Sequence, residues 1–200
     1  MHDHASHLRA HASSPNRVAA AATLHCLTGC AIGEVLGMVI GTALGFPDAA
    51  TIAFAVVLAF LFGYSLTMLP LLRAGLALVV ALPLAFASDS FSIAVMEITD
   101  NAVMLAVPGA LDASLSSLLF WGSLAFSLAV AFVFAFPLNR YLIARGQGHA
   151  VVHAHHGHGN EEAAGQDAPR MESARTPVLL GVAAIAVTLA VTVGAAVIVT

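Results

Sequence analysis

Residues 18–46 read VAAAATLHCLTGCAIGEVLGMVIGTALGF. Glu34 is the one residue of the Asp, Glu, Lys or Arg kind in the run. A helix needs about 20 apolar residues to cross a hydrocarbon core of roughly 30 Å, and this run exceeds that. The polar residues 1–17 do not turn it into a signal peptide. The run is too long for an h-region and no small-residue cleavage site closes it. It reads as a membrane helix, broken by Phe46-Pro47-Asp48.

The rest of the chain agrees. The 200 residues are 60% hydrophobic and 9% charged, with mean hydropathy +0.92, against about 25% charged in soluble domains. Eleven acids and seven bases cannot make a polar shell around a globule of this size, so soluble enzymes and disordered proteins are excluded. No basic patch points to nucleic acid. Further apolar runs cover 52–72, 74–107, 113–136 and 177–199. Between the last two lies 146–176, a His-, Gly- and acid-rich linker expected to be disordered.

The run 74–107 is long for one crossing and short for two, and the arginines arbitrate. With one crossing and a cytoplasmic N-terminus, Arg9, Arg17, Arg73, Arg140, Arg145, Arg170 and Arg175 all fall on the cytoplasmic side, as the positive-inside rule requires. The expectation is an all-α, polytopic transmembrane bundle of about five spans. It has a His-rich cytoplasmic arm (1–17), a four-helix membrane domain (18–145), the linker and a C-terminal transmembrane helix (177–200). Residues 74–107 form either one long helix kinked near Pro83 or a helix with a re-entrant outer end.

The first helix carries two stripes. Gly29, Gly33, Gly37, Gly41 and Gly45 recur every fourth residue. Small residues at this spacing let helix backbones touch in lipid, so this zipper-like ridge is expected to pack on another helix, within the chain or in a second copy. A homo-oligomer through the glycine face is one possible assembly. Beside it run Cys26, Cys30, Glu34, Met38 and Thr42, with His25 at the head. Thiols four residues apart and a neighbouring imidazole suit copper or zinc. A carboxyl group at bilayer depth must be protonated, paired or wet. His25, Cys26, Cys30 and Glu34 are therefore the expected metal ligands.

The stretch SDSFSIAVMEITDNAVM, 88–104, supplies the complement: Asp89, Met96, Glu97, Asp100 and Asn101. Counting 1.5 Å per residue from Arg17 and from Arg73 puts Glu34 about 26 Å and Asp89 about 24 Å along, at one depth, with Glu97 and Asp100 near the outer face. The implied ion or proton path climbs from His25 and Cys26 through Glu34 and Asp89 to an outer mouth at Glu97 and Asp100. His149, His153, His155, His156 and His158 crowd ten residues of the linker and form an auxiliary metal tract, as do His2, His4, His7 and His11 in the arm.

His25-Cys26, Cys30 and Gly33-Glu34, then Met96-Glu97 with Asp100-Asn101-Ala102, then Pro108-Gly109 and Asp112, and finally Pro137, Asn139-Arg140, Gly146 and Gly148-His149 form one set. In these the chain resembles an uncharacterised family of bacterial membrane proteins labelled domain of unknown function 4396, over about residues 20–155. The resemblance implies a bacterial membrane location and picks out the same polar residues; it implies no reaction. The expected function is binding or transport of a copper- or zinc-class ion between helices one and three. The alternatives are a thiol-redox enzyme or accessory factor using Cys26 and Cys30, and a non-catalytic assembly subunit. No serine–histidine–acid set, phosphate loop or flavin fingerprint appears, which weighs against an enzyme. The expected location is the bacterial cytoplasmic membrane.

Overall fold

A computed structural model describes residues 14–111, 113–145 and 171–199. The linker histidines, the N-terminal histidines and Asp112 lie outside the described residues. Five helices follow in order: α1 (Pro15–Leu44), α2 (Asp48–Arg73), α3 (Leu78–Ala106), α4 (Leu118–Ala144) and α5 (Met171–Val199). All five are long and apolar enough to cross a membrane, and no strand occurs among the described residues. The protein is an all-α multi-pass membrane protein.

The helix ends follow local chemistry. Ser14 accepts a hydrogen bond from the Arg17 backbone N–H, with Pro15 at the first helical position, where a missing N–H costs nothing. Gly45 ends α1 in the left-handed conformation, φ 68°. Ser117 caps α4 by accepting from Phe120 N–H at 3.1 Å. The run 74–107 is one helix that starts only at Leu78; Pro83 sits inside it without breaking it. Pro70 and Pro137, near which the apolar runs 52–72 and 113–136 close, also lie inside their helices. Each removes one backbone hydrogen bond, which neighbouring helices make tolerable in a membrane. The fourth span therefore runs to Ala144, not 136, and Arg145 stacks 4.4 Å from the Tyr141 ring.

The glycine ridge meets α2. A methyl group built at Gly29 would lie 2.6 Å from Cα of Gly63, and methyls at Gly33, Gly37 and Gly41 would strike Ala59, Ala55 and Thr51. The partner thus carries its own small-residue stripe, 51, 55, 59 and 63, at the same spacing and antiparallel. Gly45 is not part of this contact: nothing lies within 4 Å of a methyl built there, because it is the cap beyond the helix. With α2 seated on the ridge, a homo-oligomer would need another surface.

Helix α2 also packs on α3, α3 on α4, and α4 back on α1. These four helices make a ring in which α1 and α3 face each other across the middle rather than lying side by side. Helix α5 lies outside, against α3 and α2, with Gly181 on the ring of Phe86. Apolar core residues Val56, Phe60, Ile93 and Met96 fill the space around Cys26 and Cys30.

Candidate functional site: a buried polar column between α1 and α3

The second ridge of α1 points into the ring, and its polar groups meet α3 at two levels. At the first, Cys26 Sγ donates to Asp89 Oδ1 at 4.0 Å, and Ser88 Oγ donates to the same oxygen. His25 Nε2 pairs with Thr67 Oγ1 of α2 at 3.2 Å. Beside them, Asn139 Nδ2 of α4 donates to Thr23 Oγ1 of α1 and to Ser92 Oγ of α3, each at 2.9 Å. These bonds tie α1, α3 and α4 together, with α2 joined through His25.

The second level lies one to two turns further along α1 and two to three turns further along α3. There the Cys30 thiol faces the Glu97 carboxyl, and the Glu34 carboxyl faces that of Asp100, with Ser127 of α4 beside Asp100. Glu34 is 5% exposed, Glu97 and Asp100 2% each. Glu34 Oε2 and both Asp100 oxygens have no hydrogen-bond partner. Buried carboxyls are satisfied by donors or counter-charges. Two that face each other hold a proton or a cation between them, since like charges cannot both persist in a dry site. Asn101 does not help, because its Nδ2 bonds the Glu97 carbonyl of its own helix at 2.9 Å.

The levels differ from the expected depths. Asp89 pairs with Cys26, not Glu34, and Glu97 and Asp100 are interior groups, not an outer mouth. The residues 74–77 form a turn, so they do not rise as a helix does. Counted from the helix starts, Cys26 and Asp89 both lie about 17 Å along, and Glu34 and Glu97 both about 29 Å. Met96 is core packing.

A cavity of about 500 Å³ opens beyond the second level, toward the Leu44 end of α1. Glu34, Met38 and Thr42 form its α1 wall; Asn101 and Met104 form its α3 wall. Glu34 is thus a wall shared between cavity and acid cluster. Among the described residues, no three His, Cys, Asp or Glu side chains converge closely enough to hold a metal ion. His25, Cys26, Cys30 and Glu34 are split between two levels.

The profile of the domain of unknown function DUF4396 matches residues 16–148. The chain belongs to this family. The DUF4396 region spans α1 to α4, the whole ring and both polar levels, whereas α5 lies beyond it. No curated protein and no solved structure matches the chain.

Several members of the column escaped the sequence reading. Thr23, Thr67 and Ser127 are single hydroxyls in apolar helices, and such residues commonly bond their own backbone, as Thr23 does to Ala19 at 2.8 Å. Asn139 lies past Pro137, where the helix was expected to have ended. Ser92 belongs to the polar stretch 88–104 and its register agrees: it lies four residues before Met96 and three after Asp89, on the same face.

Proposed function

We propose that this protein handles a transition-metal ion of the copper or zinc class in its membrane, taking it up at the second level of the column and passing it along α1 and α3. The observation that carries this reading is the burial of a thiol and three carboxyls, Cys30, Glu34, Glu97 and Asp100, with three carboxyl oxygens lacking any hydrogen-bond partner. Such a set needs positive charge. Protons satisfy it at rest; a divalent ion displaces them, and thiolate with carboxylate matches borderline metals. Loading draws the side chains inward, because the groups do not converge as they stand. The cavity admits the ion past Glu34. The first level, closed by the Asn139 and His25–Thr67 hydrogen bonds, bars the far end, and Asp89 and Cys26 receive the ion there when that end opens.

The arginine distribution supports a cytoplasmic N-terminus in a bacterial inner membrane, with the histidine tracts collecting the ion on that side. The thiol-redox alternative is disfavoured because Cys26 and Cys30 are each 1% exposed, leaving no approach for a redox partner. The assembly-subunit alternative leaves the acid cluster without a purpose.

The test is metal content by mass spectrometry of the full chain in detergent after equilibration with zinc or copper(I), in a background with the arm and linker histidines replaced by alanine so that only the column can hold the ion, with proton release followed during loading. The wild-type column should retain the ion and release protons. Cys30→Ser and Glu97→Gln should each retain at least tenfold less. Equal retention in all three ends the proposal.

A further inference from the structure

The cavity beyond Glu34 is far larger than an ion requires. Its volume of about 500 Å³ lies in the range of small-molecule sites, roughly 300–1,000 Å³. Its wall combines the aromatic rings of Phe46 and Phe120 with the thioethers of Met38 and Met104. Among the described residues, two acids belong to it: Glu34, deep and 5% exposed, and Asp48, exposed at the rim. No Lys, Arg or His among the described residues lines it. Aromatic faces and carboxylates attract the same kind of guest, a cation with an apolar body. Glu34 also brings an oxygen with no hydrogen-bond partner, so a donor arriving from the cavity displaces no existing bond of that atom.

We propose that this cavity is a binding site for a small organic cation, a protonated primary or secondary amine with a compact apolar body, whose ammonium group bonds Glu34 while its body rests among Met38, Met104 and Phe120. Asp48 at the rim draws the charge in. The ammonium supplies Glu34 with the donors that it lacks, and the apolar body fills space that water occupies poorly. The site shares Glu34 with the proposed ion set but uses neither Cys30 nor Glu97, so the two readings can be tested apart. An amine held there also blocks the route from the cavity to the acid cluster.

The chain carries its own reporter. Trp121 is the single tryptophan, and its Nε1 donates to the Leu115 carbonyl at 2.8 Å; Leu115 belongs to the cavity wall. The experiment titrates cyclohexylammonium against the full-length protein in detergent micelles. It reads Trp121 emission and, in parallel, bound probe by equilibrium dialysis. Cyclohexanol, nearly the same shape without the charge, controls for partition into the micelle. Expected is saturable binding of the amine, at least tenfold weaker binding of the alcohol, and at least tenfold weaker amine binding in Glu34→Gln. Asp48→Asn, altered only at an exposed position, should weaken it about two- to fivefold, and Cys30→Ser should leave it within twofold. Equal binding of amine and alcohol overturns the proposal, as does unchanged amine binding in Glu34→Gln. Should Glu34→Gln fail to fold, the alcohol comparison and Asp48→Asn decide: no difference in either overturns it. Loss of metal uptake in Cys30→Ser with amine binding retained separates this site from the ion proposal; amine binding without any metal uptake by wild type sinks the latter alone.

Discussion

Glu34 of α1 and Asp100 of α3 face each other across the centre of the helix ring, both buried, with neither Asp100 oxygen nor Glu34 Oε2 accepting a hydrogen bond. Two acids in that position oppose folding unless a proton or a cation joins them. Asp100→Asn gives the pair a permanent donor. The amide N–H then bonds the Glu34 carboxyl without a shared proton, and an intramolecular hydrogen bond contributes about 0.5–1.5 kcal/mol. The variant is expected to unfold several degrees above wild type in thermal denaturation followed by circular dichroism. An unfolding temperature equal to or below wild type contradicts the facing arrangement.

Asn139 presents the opposite case, a buried polar side chain whose two N–H donors are both used, on Thr23 and Ser92. Interhelical hydrogen bonds in membrane proteins average about 0.6 kcal/mol and reach about 1.7. Asn139→Ala loses two and leaves a small void, so about 1–3 kcal/mol of stability should disappear. Unfolding in mixed detergent measures it, with Ser116→Ala, at an exposed loop position, as the unchanged control. The same loss in both variants shows that Asn139 joins nothing.

These two residues mark where the sequence could be read and where it could not. Glu34 and Asp100 stand out because charge in an apolar run is costly, and helical spacing assigns each to a face without any knowledge of packing. Which acid meets which depends on where a helix begins, and four turn residues, 74–77, take about 6 Å, just over one turn, from the height at which α3 was expected to meet α1. Asn139 was lost to a similar boundary, since Pro137 reads as a stop in water but not in lipid. The partner of the glycine ridge was hidden for another reason. The stripe Thr51, Ala55, Ala59 and Gly63 differs little from other small residues of an apolar helix, and its complementarity exists only once α2 turns back on α1.

That complementarity yields a sharp comparison. A methyl group at Gly33 would collide with the backbone of Ala59, and backbone cannot move aside as a flexible side chain can. Gly33→Val should part α1 from α2, with little folded protein recovered by size-exclusion chromatography. Gly122 of α4 has nothing within 4 Å of a built methyl, and Gly122→Ala should stabilise by about 0.5–1 kcal/mol, as replacing glycine within a helix does. Comparable yields from both variants contradict the close α1–α2 contact.

Cys26 and Cys30 test the interior of the ring directly. Each is free and 1% exposed, set among Phe60, Ile93 and Met96 and bounded by the two acid levels. With neither sulfur open to solvent, a thiol reagent must part the helices or press in past Glu34 from the cavity. Labelling by N-ethylmaleimide in mild detergent, read by intact-mass spectrometry, should therefore be slow. In denaturant both sites should label at least a hundredfold faster, at a rate set by the chemistry alone. Because the cavity ends at Glu34, one turn from Cys30, reagent entering from that side should modify Cys30 before Cys26. Widening the entrance with Met38→Ala should speed Cys30 alone. Equal rates at the two cysteines, or no effect of Met38→Ala, means that the cavity does not lead to the column.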